Sequence, residues 1–424
     1  MPPATPLSVA VLVELVRGPA SGGHVKCWER LAGAVAGMPG VDLTVYVLGA
    51  PPGTDPIADN VRFVALRPVL TSSSVQGLVG GVDGSDLTPF HPGLARRLPG
   101  HQVWHATHSF AFTATALRLQ DRYRPALVGS VHTDVPALAA LYTRQVVRRL
   151  PAVVGDQLDR FGPEAVVARL ARRRRDRLLR ACSHVLASSP DDAAEFTAAA
   201  PGTVVSRLRR GLDTRLFSRG DGDRQWLSEA YGLSPTGPRV LFAGRVDVSK
   251  GAPLLAEAVH RLHRAGVPVQ LVLAGDGAAV APVRRLLGPA VTHLGHLPQA
   301  ELARVYAGCD VFAFPSRSET AGNVVLEAMA AGLPVVLPAG ERTAQWLTAP
   351  GEDGVLVDRD DADAWAAALR PLLTDGARRA RIGEAARRTV ERTVPRWSDV
   401  VREDLLPVWR AAAAASSTAP RLSA

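Results

Sequence analysis

The sequence predicts an α/β protein built as two doubly wound, parallel-sheet domains facing each other across a cleft. Three observations lead there. Short apolar runs alternate with helix-like stretches from end to end, the alternation restarts near residue 239, and each series is about 200 residues long, the size of one such domain.

The elements follow in order. Residues 8–15 read as a strand, 23–38 as a helix and 41–48 as the next strand, with further strands at 103–106, 126–131 and 185–188. The second series gives a strand at 240–243, a helix at 252–265 and a strand at 269–274. It ends with a strand at 311–314, a helix at 323–331 and a strand at 334–337. Glycine, proline and serine crowd 50–100 without periodicity, which predicts a loop. A similar run over 217–237 predicts the linker. The domains expected are therefore 1–216 and 217–394, followed by a helix at 395–410 and a disordered Ala/Ser/Thr/Pro tail at 411–424.

Composition narrows the class. With 47% hydrophobic and 21% charged residues, the 424-residue chain is neither disordered nor collagen-like. It has no run of 18 apolar residues, so no transmembrane helix is expected. Residues 1–7 lack a basic region and Glu14 breaks the apolar stretch behind them, which reads as a first strand and not a signal peptide. Cys27, Cys182 and Cys309 are far apart and lack metal-ligand spacing. The expectation is a cytoplasmic protein with no disulfide, no structural zinc and no bound cofactor.

The net charge is +9, yet Lys26 and Lys250 are the only lysines among 49 basic residues. Such an arginine excess beside so much alanine, glycine and proline points to GC-rich coding, so the basic pI of about 10.2 is weak evidence for a nucleic-acid partner. Its distribution is more telling. Residues 1–215 carry 25 basic and 17 acidic side chains, and seven arginines lie between Arg169 and Arg180. That cluster reads first as a solvated, codon-biased helix, second as a membrane-surface face, and last as a patch for an anionic acceptor or nucleic acid.

Ligands of open parallel sheets bind outside the carboxyl ends of the strands, so the strand-to-helix loops are the candidate sites. Gly22, Gly23 and His24 follow the first strand and allow backbone N–H groups to approach an anion. Gly244 to Gly251 holds Arg245 and Lys250 in one glycine-flanked loop, a guanidinium fork and an ammonium point charge suited to a diphosphate. The stretch Glu319, Thr320, Ala321, Gly322, Asn323, Val324 enters a helix whose first N–H groups can take a phosphate, and Glu327 lies one turn in on an apolar face. A carboxylate there is costly unless paired or bound to ligand hydroxyls. His132 and Asp134 end a strand in the first domain, where His132 is the group able to titrate near neutrality. His105 and His108 read as structural. The pairs Asp221/Asp223 and Asp361/Asp363 have the spacing of a metal motif but fall in the linker and on a polar helix, so no metal site is expected.

These loops resemble those of the retaining glycosyltransferases of family 4, which have the GT-B fold. The residues carrying the resemblance are Glu319 and Glu327 in a Glu-x7-Glu motif, the Arg245–Lys250 loop, Gly275-Asp276-Gly277, and Arg210 to Asp213. It spans nearly the whole chain, strongly in the second half and weakly in the first. Val131 to Asp134 is similar to members acting on lipid or inositol-type acceptors, such as sulfoquinovosyl-diacylglycerol and phosphatidylinositol mannosyl enzymes. The chain departs from the family at Ala321, where a bulky residue is common, and at Glu341, which lacks the usual glycine spacing.

The resemblance implies roles. Arg245 and Lys250 would hold the diphosphate of a nucleotide sugar, with UDP favoured as common in the family. Gly244, Gly275, Asp276 and Gly277 would belong to the donor site. The backbone over Thr320, Ala321, Gly322, Asn323 and Val324 would meet the distal phosphate and sugar. Glu319 would bind sugar hydroxyls, Glu327 the ribose diol, and Gly22 and Gly23 the diphosphate or acceptor. His132 would line the transfer site, with His24 and Asp134 on the acceptor side. His132, Arg245, Lys250 and Glu319 would be catalytic in a metal-independent transfer of a hexose to a lipid, inositol-type or small polyol hydroxyl. Peripheral contact with the inner membrane face through Arg169–Arg180 would suit a lipid acceptor. The alternative is a protein on the same scaffold that binds anionic membrane or nucleic acid without transferase activity. Two carboxylates flanking an anion site argue against it, because they repel phosphate.

Overall fold

In a computed structural model the described residues are 5–18, 23–70, 86, 88–131, 135–147, 162–218, 220, 223–317, 319 and 322–418. The chain divides into two compact units, Met1–Arg209 with Trp397–Ala424, and Arg210–Arg396.

The first unit holds β1 (Leu7–Val16), β2 (Val41–Leu48), β3 (Gly53–Ala58), β4 (Val61–Leu66), β5 (Val103–Ala106), β6 (Ala126–Ser130), β7 (His184–Ala187) and β8 (Val204–Arg207). They form one sheet in the order β3-β4-β2-β1-β5-β6-β7-β8. Every neighbouring pair is parallel except β3 with β4. Both faces of β1 are covered. Val9, Val11, Val13 and Leu15 join one core cluster, and Ala10 and Leu12 another. This two-sided burial is why the strand reads as a continuous apolar run. Glu14 continues the Ala10 and Leu12 alternation.

The segment over 50–100, expected to be loop, contains two strands, while 71–85 and 87 lie outside the described residues. Val61, Phe63, Val64 and Leu66 are buried in β4, which pairs in register with β2. β3 is a mostly exposed edge containing Pro56, which an edge strand tolerates. The Gly/Pro content of the flanks masked a six-residue strand.

The second unit holds β9 (Arg239–Ala243), β10 (Gln270–Ala274), β11 (Val291–Gly295), β12 (Val311–Ala313), β13 (Val335–Pro338) and β14 (Val355–Val357), all parallel, in the order β11-β10-β9-β12-β13-β14. Its core is one cluster that includes Phe217 and Leu227. The segment over 217–237 is therefore no linker. It contains the helix Asp223–Tyr231, and Arg239 ties it down by donating to the carbonyls of Arg224 and Ser234.

The chain rejoins the first unit at Trp397. Trp397, Val400, Val401, Leu405 and Trp409 are buried in that unit's core, and Arg209 pairs with Asp404 at 2.7 Å and Glu403 at 2.6 Å. The last helix runs over Leu406–Thr418, past the point where a disordered tail was expected. Alanine is the strongest helix former, and Ala412 is buried in the core, so the Ala-rich stretch propagates the helix.

Candidate active site

Each sheet has one place where strand order reverses, between β1 and β5 in the first unit and between β9 and β12 in the second. Connections leave such a point in opposite directions and open a crevice at the carboxyl ends of the strands.

In the second unit the loop after β9 is braced by the loop after β10. Gly244 N–H donates to Ala274 O, Val246 N–H to Asp276 O, and Ala279 N–H to Val246 O, each at 2.9 Å. Gly275 has φ 131° with its backbone pressed against Gly244 O, so a side chain fits neither the torsion nor the space. The Gly-Asp-Gly spacing thus has a structural cause. Asp276 lies 2.9 Å from His293 Nε2, and the same ring nitrogen is 2.9 Å from Gly275 O.

Asp247 caps the short turn Val248–Lys250, accepting from Lys250 N–H at 2.9 Å and from Ser249 Oγ at 2.7 Å. Its other oxygen pairs with Arg245 Nε. Lys250 Nζ reaches across to Glu319 Oε1 at 2.6 Å, with both side chains largely buried. Gly251, at φ 75°, holds the two loops together. A Cβ there would sit 2.6 Å from Pro315 Cβ. Residues of two separate sequence motifs therefore meet as an ion pair at the switch point.

The helix Asn323–Ala330 starts behind Gly322, whose φ is 66°. Asn323 Oδ1 is buried without a hydrogen-bond partner among the described residues. Glu327 is 3% exposed, and the Tyr306 hydroxyl lies 3.2 Å from its Oε2 and 3.2 Å from Val324 O. Ser318, Thr320 and Ala321 lie outside the described residues.

In the first unit Gly22, His132 and Asp134 also lie outside the described residues. Gly23 opens the helix Gly23–Val35, and a Cβ there would meet nothing within 4 Å, so packing does not require glycine. His24 Nε2 is 3.0 Å from Thr107 Oγ1, and its ring lies 4.3 Å from that of His108. His105 is fully buried. It accepts from Trp409 Nε1 at 3.0 Å through Nδ1, so Nε2 carries the proton it shares with Ser130 Oγ at 2.8 Å. Burial pushes His105 down to about 3 and His108 to about 4, keeping both neutral.

Glu14 was visible only as a break in an apolar strand. It is fully buried at the entry to the helix Ala111–Tyr123, where its carboxyl accepts from Phe110 N–H at 2.7 Å and Thr113 N–H at 3.0 Å. Desolvation dominates these bonds and pushes its carboxyl up to about 8. Sequence reasoning missed its contacts, along with Tyr306 and His293. Their signal was a polar group on an apolar run, which names no partner.

Of the metal-like pairs, Asp221 lies outside the described residues, and the other three carboxylates are engaged elsewhere. Asp361 caps the helix Ala362–Thr374, Asp363 pairs with Arg261 at 2.8 Å, and Asp223 with Arg304 at 3.0 Å. Among the described residues no group of three His, Cys, Asp or Glu side chains could hold a metal ion. The arginine cluster lies on the helix Pro163–Ala181. Arg175 is buried against Glu195 at 2.7 Å and Asp176 at 3.0 Å. Arg169, Arg172, Arg173, Arg174 and Arg177 have no acidic partner among the described residues, and Val166 and Leu170 are half-exposed among them. None of the described helices is long and apolar enough to cross a membrane.

A family model for group 1 glycosyl transferases matches residues 237–375. The D-inositol 3-phosphate glycosyltransferase of Xylanimonas cellulosilytica is 33% identical over 65% of this chain and 71% of its own length. The protein of the same name from Segniliparus rotundus is 27% identical over 95% of this chain and 88% of its own. Among solved structures, sucrose-phosphate synthase from Thermosynechococcus elongatus superposes with a TM-score of 0.72 at 21% identity, covering 96% of this chain and all (100%) of that one. Anabaena HepE, solved in complex with UDP-glucose, gives 0.67 at 16% identity, covering 97% of this chain and 99% of that one.

Proposed function

This chain belongs to the group 1 glycosyltransferases and has the GT-B fold, and on that premise we propose that it is a retaining, metal-independent hexosyltransferase using a UDP-linked donor. The observation that carries this is the meeting of the Arg245–Lys250 loop with Glu319 at the switch point of the second sheet. Two cations and an open helix N-terminus there suit a diphosphate. They neutralise the charge that grows on the leaving group, work that a divalent cation does elsewhere. Glu319, already beside Lys250, binds sugar hydroxyls, and Glu327, oriented by Tyr306, takes the ribose diol.

The acceptor hydroxyl oxygen attacks the anomeric carbon on the face the diphosphate leaves, and its proton passes to the departing phosphate oxygen. That path retains configuration. The acceptor is an inositol-type polyol or a lipid carrying one, a reading supported by the relatives' names and by Val131 to Asp134. For a lipid acceptor the arginine-bearing outer side of the helix Pro163–Ala181 docks on anionic membrane. A binding protein without transferase activity is not favoured, since carboxylates beside an anion site serve sugar hydroxyls and not nucleic acid.

The test is a panel of UDP-, GDP- and ADP-sugars with mass-spectrometric detection of released nucleotide. Each is incubated with myo-inositol, inositol phosphate or a lipid extract. UDP release that depends on a polyol or lipid hydroxyl supports the reading. Release with none of these acceptors overturns it.

A further inference from the structure

Asp247 places a negative charge beside the two cations assigned to an anion, where simple electrostatics disfavours it. It is not a bystander. One oxygen takes the Lys250 N–H and the Ser249 hydroxyl, and the other takes Arg245 Nε, while an Arg245 Nη bonds Ser249 Oγ at 3.1 Å. Burial alone would raise its carboxyl. Bonds from Ser249 and Arg245 outweigh that and hold it below the ordinary carboxylate value, so it is ionised.

The backbone on both sides of Arg245 is already fixed, through Gly244 N–H to Ala274 O and Val246 N–H to Asp276 O. What remains undetermined is the direction of a long, flexible and 40% exposed side chain. Asp247 and Ser249 settle it by taking the Nε edge and one Nη, which turns the guanidinium plane before any ligand arrives.

We propose that Asp247 is a positioning residue for glycosyl transfer, acting through Arg245 to preset the diphosphate-binding fork. The inference rests on the diphosphate reading of the Arg245–Lys250 loop. Presetting a fork removes the rotamer freedom that binding would otherwise have to freeze out, so its effect shows as affinity and turnover. A simple turn cap acting on Lys250 N–H predicts something different, because asparagine caps nearly as well as aspartate.

A double-mutant cycle separates the two. Binding of UDP, GDP and ADP is measured by calorimetry for the wild type, Asp247→Asn, Arg245→Ala and the double variant, with thermal unfolding as a control. Arg245→Ala is expected to weaken the preferred nucleotide more than about tenfold, and Asp247→Asn about tenfold with an unchanged unfolding temperature. In the Arg245→Ala background, Asp247→Asn is expected to change affinity less than about twofold. An equal loss in both backgrounds, or no loss in the single variant, overturns the positioning role while leaving the site assignment intact. If Arg245→Ala and Lys250→Ala both bind like the wild type, or the wild type binds no nucleotide, the diphosphate reading itself falls and takes this one with it. Should Asp247→Asn not fold, Ser249→Ala removes the hydroxyl bridging the pair, and the same cycle applies with a smaller effect.

Discussion

Sixty-nine positions separate Lys250 from Glu319, yet their side chains share a 2.6 Å hydrogen bond. On the proposed diphosphate reading, Lys250→Ala removes a phosphate-binding cation and strands the largely buried carboxylate of Glu319, so turnover should fall by about 1.5–3 kcal/mol, roughly 10- to 150-fold. Lys250→Arg should recover only part, because a planar fork does not replace a point charge. Steady-state rates on the donor found by the panel check both. Glu14 gives a pH signature. The unfolded chain releases its proton near the ordinary 4.5 while the folded unit keeps it until about 8, so stability falls as pH rises through that window. His101, His105 and His108 work on the acid side. Folded, they stay neutral to about 4, 3 and 4, whereas unfolded they charge below 6.5, so stability falls as pH drops from 6.5. Denaturant midpoints should therefore peak near pH 6.5, and Glu14→Gln should flatten the limb from there to about pH 8 and steepen the acid limb above pH 4.5. The cations and carboxylates that meet in the second unit were legible as candidates because their neighbours are glycines and helix starts. Asp247 and Tyr306 were not. Their importance lies in whom they touch, which local pattern does not encode.

At the scale of elements, the helix Pro163–Ala181 separates its arginines by environment. Arg175 is tied to Glu195 and Asp176, while Arg169, Arg172, Arg173, Arg174 and Arg177 are exposed on the same helix as half-exposed Val166 and Leu170. Each arginine near an anionic bilayer is worth up to about 1 kcal/mol. Vesicles of mixed neutral and anionic lipid should therefore bind the protein at low salt and release it as salt rises, and purely neutral vesicles should not bind it. Replacing Arg172, Arg173 and Arg174 with Gln should remove the binding without lowering turnover on a soluble acceptor. Co-sedimentation checks this, and a wild type that ignores anionic vesicles at low salt ends the membrane reading. The strands at the two switch points were legible from sequence because burial on both faces leaves uninterrupted apolar runs. β3 and β4 were not, since a short edge hairpin amid prolines has turn composition on every side. The continued helix to Thr418 escaped for the opposite reason: an alanine run carries no amphipathic period to announce what it packs against.

Across the whole molecule, the first unit is discontinuous and the second is inserted in it. A chain ending at residue 396 lacks Trp397, Val400, Val401, Leu405 and Trp409, which fill the first unit's core, and lacks the carboxylates that pair with Arg209. Removing that much buried apolar surface costs more than the about 5–15 kcal/mol by which domains are stable. The truncated protein should aggregate, while residues 210–396 alone should unfold cooperatively by circular dichroism, since their core closes on itself. The same layout dictates an order of events during synthesis. While the ribosome adds the second unit, on the order of ten to forty seconds at about 5–20 residues per second, the first waits with β5 and β6 uncovered on one face. The younger domain can mature before the older one. A newborn chain is thus most vulnerable in its earliest-made half, at the β5–β6 face that the segment through Trp409 later covers.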